Sequence, residues 1–142
     1  MEYGELAEAA LKIRAAAYAP YSRFNVGAAA LAASGRVYTG ANVENASYGA
    51  AICAERAAVA AAVCAGERRL KAVAVCGAAA DSDAGFCPPC GVCRQVLREF
   101  CDPAEMDVVL VRGPGDFKVI TLERLLPFSF GPDALKAGGG VR

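Results

Sequence analysis

Two short cysteine-containing segments most constrain how this chain can fold. The first is Cys53-Ala54-Glu55-Arg56 and the second is Pro89-Cys90-Gly91-Val92-Cys93. Between Cys53 and Cys90 lie 36 residues, enough for a helix, a strand and a loop. The pattern places both segments at helix starts, where unpaired amides and the helix dipole favour a thiolate over a thiol. We therefore expect the fold to bring these helix starts together, so that three cysteines share one metal ion.

Three cysteine ligands predict a catalytic rather than a structural zinc site. Structural zinc sites are closed by four protein ligands, whereas a catalytic zinc keeps a position for water and lowers its pKa. Glu55 lies two residues after Cys53, so it can carry protons near the metal without binding it. Three thiolates leave excess negative charge, which Arg56 and hydrogen bonds from Gln95 or Arg94 could offset.

The other cysteines leave one alternative open. Cys87 forms a second Cys-x-x-Cys pair with Cys90, so a closed four-cysteine structural site is also conceivable. Two prolines stiffen the intervening loop and Cys87 falls outside the helix, which favours a thiol that binds no metal. Three further cysteines lie in apolar stretches and are expected in the core, namely Cys64, Cys76 and Cys101.

The chain contains no histidine, which excludes several common active sites. Ser-His-Asp and Cys-His catalysis, histidine-ligated zinc and H-E-x-x-H proteases all require one. The 15 basic and 15 acidic residues balance, which argues against a nucleic-acid partner. No segment approaches the roughly 20 apolar residues of a membrane span. The acidic N-terminus does not resemble a signal peptide, so we expect a cytoplasmic protein without membrane contact.

Hydrophobic periodicity and turn residues predict one domain, residues 1–142, with the order α-β-β-α-β-α-β-β-α. Helices alternating with strands imply one sheet covered on both faces. The residue before Pro20 is expected to end the first helix, and Ser34-Gly35 to turn the first hairpin. The predicted helices are 4–19, 53–65, 91–101 and a short one at 121–124 that Thr121 would cap. The predicted strands are 26–33, 36–43, 70–77, 106–112 and 117–120.

The paired motifs resemble the cytidine deaminase family over nearly the whole chain. Cys-Ala-Glu followed by Pro-Cys-x-x-Cys is the pattern of the zinc deaminases. The resemblance implies an α/β fold, a three-layer α-β-α sandwich with a five-stranded mixed sheet, and one Zn²⁺ per subunit. It also implies hydrolytic deamination of cytidine and 2′-deoxycytidine, with release of ammonia, as in pyrimidine salvage. Hydroxide on the zinc would attack C4 of the pyrimidine while Glu55 transfers the protons.

The resemblance also assigns residues that contact the substrate. In this chain they are Phe24, Asn42, Glu44, Tyr48, Ala54 and Phe130. The Asn42 amide and the Glu44 carboxylate would bind the ribose hydroxyls. Phe24 would pack against the base, and the backbone of Ala54 would hold the pyrimidine. Tyr48 and Phe130 would come from neighbouring subunits of a homotetramer, the latter in a C-terminal tail over residues 127–142. Without the resemblance, Asn42 and Glu44 could equally well belong to a turn. Phe24 and Phe130 could equally well belong to the hydrophobic core.

Three other functions stay open at this point. A deaminase of another cytosine nucleoside, such as blasticidin S, would share the zinc motifs, but Asn42-Val43-Glu44-Asn45 suits a free ribose. A polynucleotide-editing deaminase would gain from a basic channel, which the balanced charge does not indicate. A non-enzymatic zinc module that binds a partner would hold metal and release no ammonia.

Overall fold

A computed structural model describes residues 3–83 and 85–135, and the predicted order of elements is confirmed. The helices are α1 (Tyr3–Ile13), α2 (Ala54–Cys64), α3 (Gly91–Arg98) and α4 (Leu122–Leu125). The strands are β1 (Phe24–Ala32), β2 (Val37–Ala41), β3 (Leu70–Ala79), β4 (Asp107–Gly113) and β5 (Asp116–Thr121). Short 3-10 helices cover Arg14–Ala16, Tyr48–Ala50 and Pro132–Ala134. Within the described residues, no helix is long and apolar enough to cross a membrane.

The strands form a mixed five-stranded sheet in the order β2-β1-β3-β4-β5. Strand β1 runs antiparallel to both β2 and β3, β3 and β4 are parallel, and β5 is antiparallel to β4. The parallel pair needs a crossover, and α3 supplies it. The predicted three-layer α-β-α architecture and mixed sheet are confirmed.

Alternation along the apolar strands explains why helices cover both faces. In β1, Ala28 and Ala30 belong to the core cluster beneath α2 and α3, whereas Ala29 and Leu31 pack in the cluster beneath α1. Successive strand residues point to opposite faces, so a run of small apolar residues is buried on both. Helices α2 and α3 therefore lie on the same side of the sheet, and α1 lies on the other.

The first helix is shorter than predicted, because tertiary contacts override its periodicity. It ends at Ile13 instead of residue 19, and a 3-10 turn follows. The Arg14 guanidinium donates to the carbonyls of Asn25, Ala78, Ala79 and Ser82, which ties this turn to the ends of β1 and β3. Beyond it, the Tyr18 amide donates to the Asn42 carbonyl at 2.9 Å, so the chain is extended where a helix was predicted.

Smaller differences occur at the other element ends. Helix α3 ends at Arg98 rather than at residue 101. Thr121 occupies the N-cap position of α4, but its hydroxyl makes no capping hydrogen bond, contrary to the predicted cap. Gly35 has a φ of 92°, as the predicted Ser34-Gly35 turn requires. The single-domain division stays a prediction, and residues 136–142 of the predicted tail lie outside the described residues.

Gly40 sets the distance between α2 and the sheet. A Cβ atom at this position would lie 2.5 Å from the Ala58 nitrogen and 2.7 Å from the Ala54 oxygen. Both are backbone atoms of α2, so the helix itself would have to move. Because Cys53 immediately precedes this helix, the close approach also fixes one corner of the candidate site.

We predict that Gly40→Ala lowers the free energy of unfolding by about 1–3 kcal/mol, because its methyl group would clash with backbone atoms of α2. Gly4→Ala is the matched control, since no atom lies within 4 Å of a Cβ there. Urea unfolding of both variants measures the difference. Equal stability of Gly40→Ala and the parent protein would show that α2 is not held this closely.

Candidate metal centre

The three cysteines of the two motifs lie at the N-termini of α2 and α3. Cys53 and Cys90 are the residues just before the two helices, and both have extended backbones, with ψ of 154° and 170°. Cys93 lies in the first turn of α3 and is fully buried. Because both helices pack on the same face of the sheet, the two helix starts can meet.

The sulfur atoms are spaced as one tetrahedral zinc ion requires. The Sγ atoms of Cys53 and Cys90 are 3.9 Å apart, and those of Cys90 and Cys93 are 3.6 Å apart. A zinc–sulfur bond of about 2.3 Å in tetrahedral geometry places neighbouring sulfurs about 3.8 Å apart. A disulfide would need about 2.05 Å, and all three cysteines are free thiols. The donor set and its spacing therefore fit zinc.

Cys87 does not join this group. The three ligand atoms lie within 4.8 Å of one another, and Cys87 is not a member of that cluster. Its Sγ instead lies where it would contact a side chain at Gly77. Burial raises the pKa of the Cys87 thiol to about 11, with nearby acidic groups adding to the effect. The geometry thus favours three protein ligands over the closed four-cysteine alternative.

The surroundings of the three thiols shift their pKa values in different directions. Burial opposes ionisation of Cys90, but hydrogen bonds from the amide of Cys93, neighbouring thiols and the amide of Val92 leave its pKa below the ordinary value. Burial raises the pKa of Cys93, and the nearby Glu55 and Cys53 raise it further. Burial likewise raises the pKa of Cys53. Thiols crowded this closely need a cation to ionise together, and a bound metal would supply it.

Glu55 is a buried carboxylic acid beside these thiols. It lies in the first turn of α2 and is only 4% exposed. Burial raises the pKa of Glu55, while hydrogen bonds from its own backbone amide and from the Cys93 thiol lower it. A carboxyl group with a raised pKa can both accept and return a proton near neutral pH.

A cavity of about 240 Å³ opens over the cysteines, and three of the six predicted substrate contacts line it. Its lining residues are Val26, Asn42, Glu44, Ala51, Ile52, Cys53, Ala54, Glu55, Cys87, Pro88 and Cys90. The predicted metal ligands, proton carrier and polar pair are thus brought to one place. Phe24, Tyr48 and Phe130 are not among these lining residues.

Asn42 and Glu44 are held in position by the segment that leads into β1. Asn42 accepts a hydrogen bond from the Val26 amide at 2.9 Å and donates to the Phe24 carbonyl at 2.8 Å. The Glu44 carboxylate accepts hydrogen bonds from the Ser22 hydroxyl and from the amides of Ser22 and Tyr21. Those bonds hold the pKa of Glu44 below its usual value, so the group stays ionised. Both side chains keep further hydrogen-bonding capacity for a ligand.

Three aromatic side chains lie near residues that line this cavity. Phe24 is 42% exposed and lies against Gly77, near Cys87. Tyr48 is 77% exposed and meets Tyr21 edge to face, with ring centroids 5.9 Å apart. Sequence reasoning did not select Tyr21 or Ser22, which line an adjoining cavity together with Glu44 and Tyr48. The one sequence signal that could have indicated them is their position directly after Pro20, where the first helix was predicted to end.

The predicted hydrogen bonds from Arg94 and Gln95 to the thiolates are not formed. Arg94 donates to the carbonyls of Pro89 and Leu125, and Gln95 donates to the Phe130 carbonyl at 2.9 Å. These two side chains therefore form hydrogen bonds with backbone carbonyls and not with the cysteine sulfurs. Arg56 is half-buried on α2, and its predicted role in offsetting the thiolate charge stays a prediction.

Comparison with known proteins now identifies the family. Residues 2–109 match the family model described as "Cytidine and deoxycytidylate deaminase zinc-binding region". The chain belongs to this family. A cytidine deaminase of Halalkalibacterium halodurans is 48% identical over 130 residues, which cover 92% of this chain and 95% of that protein. One of Sporosarcina psychrophila is 44% identical and covers 95% and 96% of the two chains.

A solved deaminase structure has the same fold. The crystal structure of cytidine deaminase from Burkholderia pseudomallei is 46% identical, with a TM-score of 0.81. The match covers 92% of this chain and 100% of that one. The segment that matches the deaminase family model contains the three clustered cysteines and Glu55, whereas Phe130 lies beyond it.

We predict that Cys90→Ala loses bound zinc while Cys87→Ala keeps it. Loss of an outer hydrogen-bond partner alone weakens metal binding by about 10–100-fold, so removal of a direct ligand should exceed that range. Elemental analysis of both purified variants measures zinc per chain. Zinc retained by Cys90→Ala, or lost from Cys87→Ala, would contradict the three-ligand set.

Proposed function

We propose that this chain catalyses hydrolytic deamination of cytidine and 2′-deoxycytidine to the corresponding uridines, with release of ammonia. The observation that carries the proposal is the cluster of three thiols, spaced for one zinc, directly beside a buried glutamate. Membership of the deaminase family and close relatives named cytidine deaminase support the same activity. Zinc with three protein ligands lowers the pKa of water at its fourth position.

The residues of the cluster divide the chemistry between them. Cys53, Cys90 and Cys93 hold one zinc ion per subunit. The Glu55 carboxylate accepts a proton from the attacking water and passes it to N3 of the pyrimidine. It then takes the remaining proton from the new C4 hydroxyl and passes it to the departing amine. Water thus supplies the oxygen at C4, and the C4–N bond breaks as ammonia leaves. Burial of Glu55 supports this role, because it makes reprotonation easier than for an exposed carboxylate.

The polar pair at the cavity wall orients the nucleoside. Asn42 and Glu44 bind the ribose hydroxyls, which suits an ionised carboxylate and an amide with a free N–H. Phe24 packs against the base, because its partly exposed ring faces the cavity side of the sheet with Val26. The backbone of Ala54, at the start of α2, holds the pyrimidine near the cluster.

The proposal includes a homotetramer that acts in pyrimidine salvage in the cytoplasm. Exposed aromatic side chains support association, since Tyr48 is 77% and Phe130 60% exposed. Both would complete the sites of neighbouring subunits. Phe130 does not line the cavity over its own chain's cysteines, which is consistent with a role in another copy.

Neither alternative deaminase is favoured. The relatives from Halalkalibacterium halodurans and Sporosarcina psychrophila, which match over more than nine-tenths of this chain, are both named cytidine deaminase. The balanced charge gives no support for a polynucleotide substrate. A zinc module without activity would have little use for a buried glutamate beside an open metal position.

Ammonia release separates these functions. We expect cytidine and deoxycytidine to yield stoichiometric ammonia and the matching uridine, and blasticidin S to yield little, because its sugar lacks the hydroxyl arrangement of ribose. Coupled measurement of ammonia and absorbance, with zinc determined on the same sample, makes the test. A zinc-loaded protein that released ammonia from none of them would overturn the proposal.

We predict that Glu55→Gln keeps zinc and lowers kcat for cytidine by at least about 10²–10⁴-fold, because glutamine cannot carry a proton. Substrate binding, measured by calorimetry, should survive. Glu67→Gln is the control, since that carboxylate bonds to Ser34 and Tyr38 outside the cavity. Normal turnover by Glu55→Gln would rule out its role as proton carrier.

A further inference from the structure

Helix α3, which contains the predicted zinc ligand Cys93, holds the C-terminal segment of the chain with three polar side chains. Arg94 donates to the Leu125 carbonyl at 2.6 Å, and Gln95 donates to the Phe130 carbonyl at 2.9 Å. Arg98, one turn further along the helix, contacts Ser129 and Asp133. The helix that provides Cys93 is thereby fastened to the segment that contains Phe130.

Arg98 is the one of these three side chains that forms an ion pair with the segment. Its side chain is only 10% exposed, and its Nη2 forms an ion pair with the Asp133 Oδ1 at 2.9 Å. Its Nε donates to the Ser129 hydroxyl at 2.8 Å. A buried guanidinium is retained only where partners satisfy it, so these two residues are needed for Arg98 to occupy this place.

Gly131 lets the chain pass directly over the guanidinium. A Cβ atom here would lie 2.4 Å from the Cζ of Arg98 and 2.6 Å from both of its Nη atoms. The φ of Gly131 is −149°, which any residue can adopt, so glycine is needed for space and not for backbone conformation. We call Arg98, Ser129, Gly131 and Asp133 the clamp.

The clamp buries the Arg98 guanidinium and leaves aromatic side chains in the open. Phe130 lies between two clamp residues and is 60% exposed, and Phe128 is fully exposed. A segment that served only to cover its own subunit would turn its aromatic rings inward. The reverse arrangement means that the backbone is fixed and the rings are presented to something outside the chain.

We propose that the clamp positions Phe130 for the active site of a second copy of this chain, which makes Arg98 a positioning residue for the neighbouring subunit. The proposal rests on the proposed function and adds the device that holds the shared aromatic residue. Because Arg98 and Cys93 belong to the same two-turn helix, the metal centre of one subunit and the substrate pocket of the next share one rigid element.

Gly131→Ala and Asp133→Asn test the clamp without altering any residue of the cavity. We expect each to raise KM for cytidine about tenfold, which corresponds to about 1.4 kcal/mol of binding, with kcat and zinc content nearly unchanged. Hydrogen exchange should accelerate in residues 126–135. Phe130→Ala should raise KM by the same factor as these two variants. The double variant Phe130→Ala/Gly131→Ala should have no higher KM than either single variant. Gly113→Ala, with no atom within 4 Å of its Cβ, is the control.

Mixed oligomers show on which subunit the clamp acts. A Glu55→Gln subunit has an intact clamp but cannot turn over, whereas a Gly131→Ala subunit has intact catalytic groups. When the two are co-expressed and co-purified, we expect sites with the parent KM to reappear.

Parent KM in both Gly131→Ala and Asp133→Asn, or no recovery in mixed oligomers, would overturn the clamp. A parent protein that released no ammonia from cytidine would instead defeat the proposed function. The hydrogen-exchange result then still shows whether the clamp holds the segment.

Discussion

The meeting of two helix N-termini over one face of the sheet is the constraint on which the whole site depends. Helices α2 and α3 share a core cluster on that face, and Gly40 lets α2 come within backbone contact of β2. The residues just before these helices are Cys53 and Cys90. A shift of either helix by more than about 1 Å would take the sulfurs out of tetrahedral spacing around zinc.

The site concentrates ionisable groups that have little reason to be together without a cation. Three thiols and one carboxylic acid share a small volume, and burial raises the pKa of Cys53, Cys93 and Glu55. Backbone amides at the start of α3 favour the thiolate of Cys90. These amides do part of what Arg94 and Gln95 were expected to do, while those side chains secure the C-terminal segment instead.

The features that follow from local geometry could be predicted from the sequence. A Cys-x-x-Cys pair lies on one helical turn wherever the helix is placed, so Cys90 and Cys93 were certain to be close. The order of elements followed from periodicity and turn residues, as at Gly35. The length of α1 could not be predicted, because Arg14 and Tyr18 bond to chain segments that only the folded sheet brings near.

The surroundings of the metal cluster were less predictable for the same reason. The partner of Gln95 depends on the path of the C-terminal segment, and no local pattern specifies that path. The places of Tyr21 and Ser22 beside Glu44 likewise arise from a loop that crosses to the end of β2. The resemblance pointed to Phe130, but only the structure shows that Gln95 donates to its carbonyl and that Arg98 bonds to the adjacent Ser129.

X-ray absorption at the zinc edge is the most direct test of an open three-thiolate site. Three sulfur neighbours at about 2.3 Å with one oxygen or nitrogen neighbour near 2.0 Å are the predicted result for the parent protein. Four sulfur neighbours would mean that Cys87 closes the site, and would contradict the catalytic role assigned to this metal centre.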